Sequence, residues 1–208
     1  MSDTQVVHLI DDDDGVRDAL TLLMAESGLT VRSYRSAVDF LGAARTSSAG
    51  CIVSDIRMPG MDGLELQGKL NAAGIATPII FITGHGDVPM AVQALRAGAM
   101  DFIEKPFDET VLLESVRRAL KASERHHLKE MANSEIEERL ASLTTREQQV
   151  LEGLLVGRAN KIIAFDHGMS TRTVEVHRAH IMQKMKARSL SELVRLVMSV
   201  RAAADQAS

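Results

Sequence analysis

The sequence predicts an α/β domain built on a parallel sheet, followed by a smaller all-α domain. Three observations predict it. Through residue 122 short β-branched runs alternate with amphipathic stretches, the pattern of strands joined by crossover helices. Beyond residue 140 the helical periodicity continues and no strand signal remains. Within the first region four apolar runs each close on chemically capable residues: Asp11-Asp12 after Val6 to Ile10, Asp55 after Ile52 to Ser54, Thr83 after Ile79 to Ile82, and Lys105-Pro106 after Phe102 to Glu104.

Strands are expected near 5–10, 30–34, 50–54, 78–83 and 100–104, with helices between and after them. Gly28, Gly74 and Gly98 stand where helices should stop. Five strands and five helices in this order suit a doubly wound, flavodoxin-like (βα)5 sheet over residues 1–122. From Ser123 to Arg139 the chain turns polar, which reads as a helical linker (123–139) continuing the fifth helix. The last domain, 140–208, should hold four helices. Thr144 with Glu147 makes a capping box opening a helix whose Val150, Leu151, Leu154 and Leu155 share a face, and Gly157 ends it. A short helix from Lys161 to His167, a turn at Gly168-Met169, and a longer helix capped by Ser170 and reaching Lys186 form a helix-turn-helix unit. The fourth helix is expected from Leu190 to Arg201.

The 208 residues suffice for two separate cores. No stretch approaches the roughly 18 apolar residues of a membrane span, and the first residues lack a signal peptide's basic and apolar blocks, so a cytoplasmic location with no membrane partner is expected. Cys51 is the single cysteine and reads as a small buried strand residue. Charge is split along the chain. Residues 1–125 carry 12 Lys and Arg against 18 Asp and Glu, whereas residues 140–208 carry 10 against 6. An acidic half joined to a mildly basic one suggests a metal-binding or regulatory part and a part that meets a polyanion, although solvated surface gives a difference of this size too.

In a parallel sheet the carboxyl ends of all strands lie on one edge, so Asp11, Asp12, Asp55, Thr83 and Lys105 should converge. Phosphoryl transfer to a carboxylate needs a nucleophile, a divalent cation and fixed donors for the remaining charge. Asp55 holds the central position for the nucleophile. Mg2+ takes octahedral oxygen ligands and keeps waters. Asp12 and Asp55 are expected to bind it directly, the backbone carbonyl of Arg57 to be a third ligand, and Asp11 to act mainly through water. Lys105 and Thr83 would each serve a phosphoryl oxygen. A calcium loop fails on register: Gly15 at its sixth place would put Ile10 and Thr21 at the first and twelfth ligand positions. A solvated acidic turn accounts for the aspartate run but not for Asp55, Thr83 and Lys105 each ending a strand.

Asp11-Asp12, the stretch Asp55 to Gly63, Thr83-Gly84 and Lys105-Pro106 resemble the receiver domains of bacterial two-component response regulators over about residues 4–122. Residues 83–92 and 101–107 are similar, more narrowly, to the FixJ group of these regulators. The resemblance implies phosphorylation of Asp55 by a sensor histidine kinase, a switch in which the Thr83 hydroxyl moves inward and Phe102 rotates, and dimerisation when phosphorylated. On residue type alone Phe102 reads equally as a static strand residue. Arg57 and His85 occupy the positions where this family tunes loss of the phosphoryl group; otherwise they are plain surface residues.

Leu143-Thr144, Arg146-Glu147, Val150-Leu151, Gly157, Asn160-Lys161, Ile163-Ala164, Ser170, Thr173-Val174 and His177 resemble the LuxR/NarL-type helix-turn-helix over about residues 140–202. His167-Gly168 departs from that pattern, which usually has Leu and a polar residue, and a polar ring there is expected to weaken the small core. Val174, Ile181 and Met185 should face the core with His177 beside them, a structural histidine rather than a metal ligand. Thr173 and His180 are further expected DNA contacts, and the opposite face carries Arg172, Glu175, Val176, Ala179 and Gln183. The resemblance makes it a surface for the major groove, with Glu175 and Val176 reading bases and Lys161, Arg172, Arg178, Lys184, Lys186 and Arg188 meeting phosphates.

Together these resemblances imply a phosphorylation-activated, promoter-binding regulator, not an enzyme beyond its own phosphorylation and dephosphorylation, with RNA polymerase as a further partner. The competing expectation is a phosphate-relay or adaptor protein whose helical domain binds protein. A phosphatase with an aspartyl intermediate is disfavoured because the helical remainder shows no second acid-base pair.

Overall fold

The computed structural model describes residues 5–43, 50–84 and 88–206. They form two compact units, residues 1–128 and 129–208.

The first unit alternates β1 (Val6–Ile10), α1 (Asp14–Glu26), β2 (Thr30–Tyr34), α2 (Ala37–Ala43), β3 (Gly50–Asp55), α3 (Gly63–Ala72), β4 (Ile79–Thr83), α4 (Val88–Arg96), β5 (Asp101–Glu104) and α5 (Glu109–Ala141). Its sheet is parallel throughout, in the order β2-β1-β3-β4-β5. The order reverses direction between β1 and β3, where such folds open a crevice at the strands' carboxyl ends. β1, β3 and β4 are central and are buried along nearly their whole length because both faces are covered. One face buries Val7, Leu9, Val53, Ile80 and Ile82 with Leu112 and Val116 of α5; the other buries Ile10, Ile52 and Phe81 with Phe40 of α2 and Leu66 of α3. Cys51 is fully buried, as a small strand residue should be.

Local chemistry sets the helix starts. Asp13 caps α1 by accepting from the Val16 N–H at 3.0 Å, and Asp62 caps α3 by accepting from Glu65 N–H at 2.7 Å. Gly63 has a positional reason: a Cβ there would stand 2.8 Å from the Asp55 carbonyl oxygen and 2.8 Å from the Phe81 ring. The α3 start and the end of β3 therefore approach more closely than any side chain permits.

The second unit contains α6 (Thr145–Leu155), α7 (Asn160–Asp166), α8 (Thr171–Lys184) and α9 (Leu190–Gln206). Residues 123–139 lie within α5, and the unit begins at Lys129, ahead of residue 140, because Ile136 is buried in its core. Val150, Leu151, Leu154, Val174, Ile181, Met185, Leu193 and Val197 complete that core. The capping box is formed in both directions: the Glu147 N–H donates to Thr144 Oγ1 at 3.3 Å, and the Thr144 N–H donates to Glu147 Oε2 at 2.8 Å.

Three helices of this unit differ in extent from the sequence expectation. α7 starts a residue earlier than Lys161 and ends at Asp166, with His167 as its C-cap. α8 stops at Lys184 because Lys186 takes φ 53°, a left-handed conformation no helix continues through. α9 continues past Arg201, through three alanines that favour helix, to Gln206. At His167-Gly168, where the sequence departs from the family pattern, His167 is half-buried, its carbonyl accepts from Arg146 at 3.2 Å, and Gly168 supplies φ 64° for the turn into α8.

Candidate functional site

The sheet edge gathers Asp11, Asp12, Asp55, Thr83 and Lys105 around a cavity of about 310 Å³, with Arg57 and Gly84 on its wall. Asp11 and Thr83 are fully buried, Asp55 is half-buried and Asp12 is exposed. The Lys105 ammonium lies 3.1 Å from Asp11 Oδ2 and 3.7 Å from Asp55 Oδ2, so one cation is shared between two carboxylates. The Lys105-Pro106 peptide is cis. Asp55 Oδ1 also accepts the Ile56 N–H at 2.7 Å.

Burial pushes the Asp55 carboxyl above its ordinary range. Lys105 opposes that shift, the neighbouring Asp11 adds to it, and the backbone N–H groups of Ile56 and Arg57 counter it. The pocket therefore presents more carboxylate than its own lysine neutralises. Carboxylate oxygens of Asp11, Asp12 and Asp55 all lie within 4.8 Å of one another. Oxygens on opposite corners of a Mg2+ octahedron stand about 4.2 Å apart, so the trio is within reach of one such ion, and its all-oxygen chemistry fits.

Sequence reasoning missed Arg17. Its guanidinium is buried, donates to the Asp11 carbonyl at 2.9 Å and pairs with Asp14, tying the acidic loop to α1. The signal was available: Arg17, Leu20 and Met24 share the inward face of α1. Phe102 is partly buried and packs against the α3/α4 side of the core. His85 lies outside the described residues.

In the second unit α7 and α8 form the helix-turn-helix. Lys161, Arg172, Thr173, Glu175, Val176, Ala179, His180 and Lys186 are exposed, and Arg178 is half-buried. Lys184 does not present itself to a ligand as expected. Its ammonium donates to Glu147 Oε2 at 2.7 Å and to the Ser142 carbonyl at 3.0 Å, because Glu147 is buried and needs a counter-charge. That hydrogen bond, aided by those from Thr144 and opposed by burial, holds the Glu147 carboxyl down at about 2. Lys186 lies 3.6 Å from Glu135 in an exposed pair.

The comparisons with known proteins follow this division. Residues 7–117 match the response regulator receiver domain, and residues 141–197 match the bacterial regulatory proteins of the luxR family. The chain is 52% identical to the transcriptional regulatory protein FixJ of Azorhizobium caulinodans, over 95% of its own length and 94% of that protein's. It is 46% identical to the response regulator protein TodT of Pseudomonas putida, over 94% and 87% of the two lengths. Among solved structures it is similar to the response regulator StyR, with TM-score 0.84 and 43% identity, covering 94% of this chain and 98% of that one. Among the described residues no helix is long and apolar enough to cross a membrane. With a receiver fold whose acidic edge is intact and a helix-turn-helix of the luxR family behind it, the chain belongs to the two-component response regulators that regulate transcription through a DNA-binding domain.

Proposed function

We propose that Asp55 accepts a phosphoryl group from a sensor histidine kinase and that this modification promotes receiver dimerisation and promoter binding, with transcriptional activation as the outcome. The observation that carries the reading is the convergence of Asp55 with Lys105, Thr83, Asp11 and Asp12 at one sheet edge of a chain that also holds a luxR-family domain. An Asp55 carboxylate oxygen attacks phosphorus, forming an O–P bond as the donor's P–N bond breaks, and the departing imidazole nitrogen takes up a proton. Lys105 moves its charge toward a phosphoryl oxygen, and Thr83 donates its hydroxyl to another. Asp11, Asp12, Asp55 and the Arg57 carbonyl would hold Mg2+, which when bound neutralises charge on the phosphoryl oxygens. Arg57 and His85 would set how readily water reaches the acyl phosphate, and a small phosphodonor would serve in place of the kinase.

Relaying the modification falls to Thr83 and Phe102, which bias one face of the receiver between two arrangements. Dimers then place two copies of α8 on two-fold related half-sites. Glu175 accepts from a cytosine amino group and Val176 and Ala179 meet thymine methyls, while Lys161, Arg172, Thr173, Arg178, His180 and Lys186 contact the backbone. Lys184, bonded to Glu147, positions α8 instead. The names of the FixJ and TodT relatives support a transcriptional role, and a regulator that meets promoter DNA works in the cytoplasm.

The test is operator footprinting with and without acetyl phosphate, across concentrations spanning monomer and dimer. Tighter binding of the phosphorylated chain, lost in Asp55→Asn, is expected; equal affinity of both forms overturns the coupling.

A further inference from the structure

The geometry points to a transition-metal site of the zinc class in the second unit, formed by Glu147 of α6 with His177 and His180 of α8. One ligand atom from each of the three lies within 4.8 Å of the others. His177 and His180 are three residues apart and so share a helical face. Glu147 comes from a different helix, and only the packing of α6 on α8 brings it there.

The distances suit an ion of this kind. Ligands on a tetrahedral Zn2+ with bonds of roughly 2.0–2.1 Å stand about 3.4 Å apart. His180 Nδ1 is already 3.8 Å from Glu147 Oε1, so a small turn of an exposed ring closes the gap. The two oxygens of Glu147 divide the work. Oε2 is taken by the Lys184 ammonium and the Thr144 N–H, which fix the carboxylate's orientation, while Oε1 faces His180. His177 supplies an independent sign: its Nδ1 is buried and finds no hydrogen-bond partner among the described residues. A buried ring nitrogen left unpaired is uncommon unless something further is meant to meet that ring.

Two imidazoles and one carboxylate are a donor set zinc uses when a fourth position stays open to water. The Lys184 charge repels any incoming cation, so the site suits an ion held by directional bonds to imidazole rather than by charge alone. That favours Zn2+ and its neighbours over Mg2+ or Ca2+. It also distinguishes this cluster from the all-oxygen trio at Asp55. Because His180 belongs to the face proposed to meet DNA, the ion and the DNA would draw on the same side chain. This last consequence depends on α8 meeting DNA, whereas ion binding itself does not.

The test is a titration of Zn2+ alone into three full-length chains: wild type, Asp12→Asn and His180→Gln. His180 is more than half exposed, so its replacement leaves the core untouched. Asp12→Asn should retain the site, and His180→Gln should lose affinity at it by at least roughly tenfold. Ring 15N resonances of His177 and His180 in the wild-type chain should shift together on Zn2+ addition. Equal Zn2+ binding by the wild type and His180→Gln, or unmoved His177 and His180 resonances, overturns the proposal.

Discussion

Asp55 and Glu147 are both carboxylates set beside a lysine, yet their environments drive them in opposite directions. Asp55 is raised by burial and shares Lys105 with Asp11 at 3.7 and 3.1 Å. Glu147 has Lys184 at 2.7 Å, accepts one more bond from the Thr144 N–H of its capping box, and is lowered to about 2. A charge that holds a domain together is fully paired. One that must receive a cation and a phosphoryl group is left with part of its charge unmatched, and stability is lower for it.

The largest expected effect comes from crowding the Asp55 side. Gly63→Ala forces a methyl group against the Asp55 carbonyl and Phe81 ring, and should cost about 3 kcal/mol of receiver stability in urea unfolding while weakening Mg2+ binding. An unchanged midpoint would show that α3 can retreat from β3 freely.

Next is the paired side. Lys184→Met leaves Glu147 buried without its cation and should destabilise the second unit by about 2 kcal/mol, moderated because Lys184 is itself about one-third exposed. The pH dependence identifies the cause. Glu147 has a folded value of about 2 against an ordinary 4.5, so its contribution is fully present above pH 4.5 and disappears as pH falls toward 2. In Lys184→Met that acid-dependent loss should shrink. Parallel pH profiles for the two chains would assign the low value to something other than Lys184.

Thr144→Ala removes one arm of the capping box and should cost about 1 kcal/mol, read as a lower thermal midpoint of the second unit. The smallest effect reverses sign. Asp55→Asn, measured without divalent ions, should stabilise the receiver slightly at neutral pH, because the ionised form is the one burial disfavours. That gain should shrink as pH falls from the raised folded value toward 3.8 and be gone below it, where the carboxyl is protonated in both folded and unfolded chains. Destabilisation at pH 7 would mean that Lys105 and Asp55 form a net structural pair.

Much of this was legible from residue order. Alternating β-branched runs gave the five strands, and the residues closing them gave the pocket, because a parallel sheet delivers its carboxyl ends to one edge whatever the details of packing. The Thr144 to Glu147 spacing gave a capping box that formed atom for atom. Lys184 was less legible. As a basic residue on a helix expected to meet DNA it read as a phosphate contact, whereas its ammonium is bonded to Glu147 and to the Ser142 carbonyl, 37 and 42 positions away. The inward place of Arg17 could be read from its spacing with Leu20 and Met24, but its partner could not, since nothing in a sequence shows a backbone carbonyl accepting from it.

Residue order alone settled which residues could react, which elements carry them and where the capped helices α6 and α8 begin, since propensity, periodicity and capping act over a few residues. The tertiary structure decided which charges are paired and which are left to bind something. Partner choice depends on side chains from distant segments meeting at 3 to 4 Å in a shared dielectric, and on burial, which belongs to the packed molecule and to no single stretch of chain.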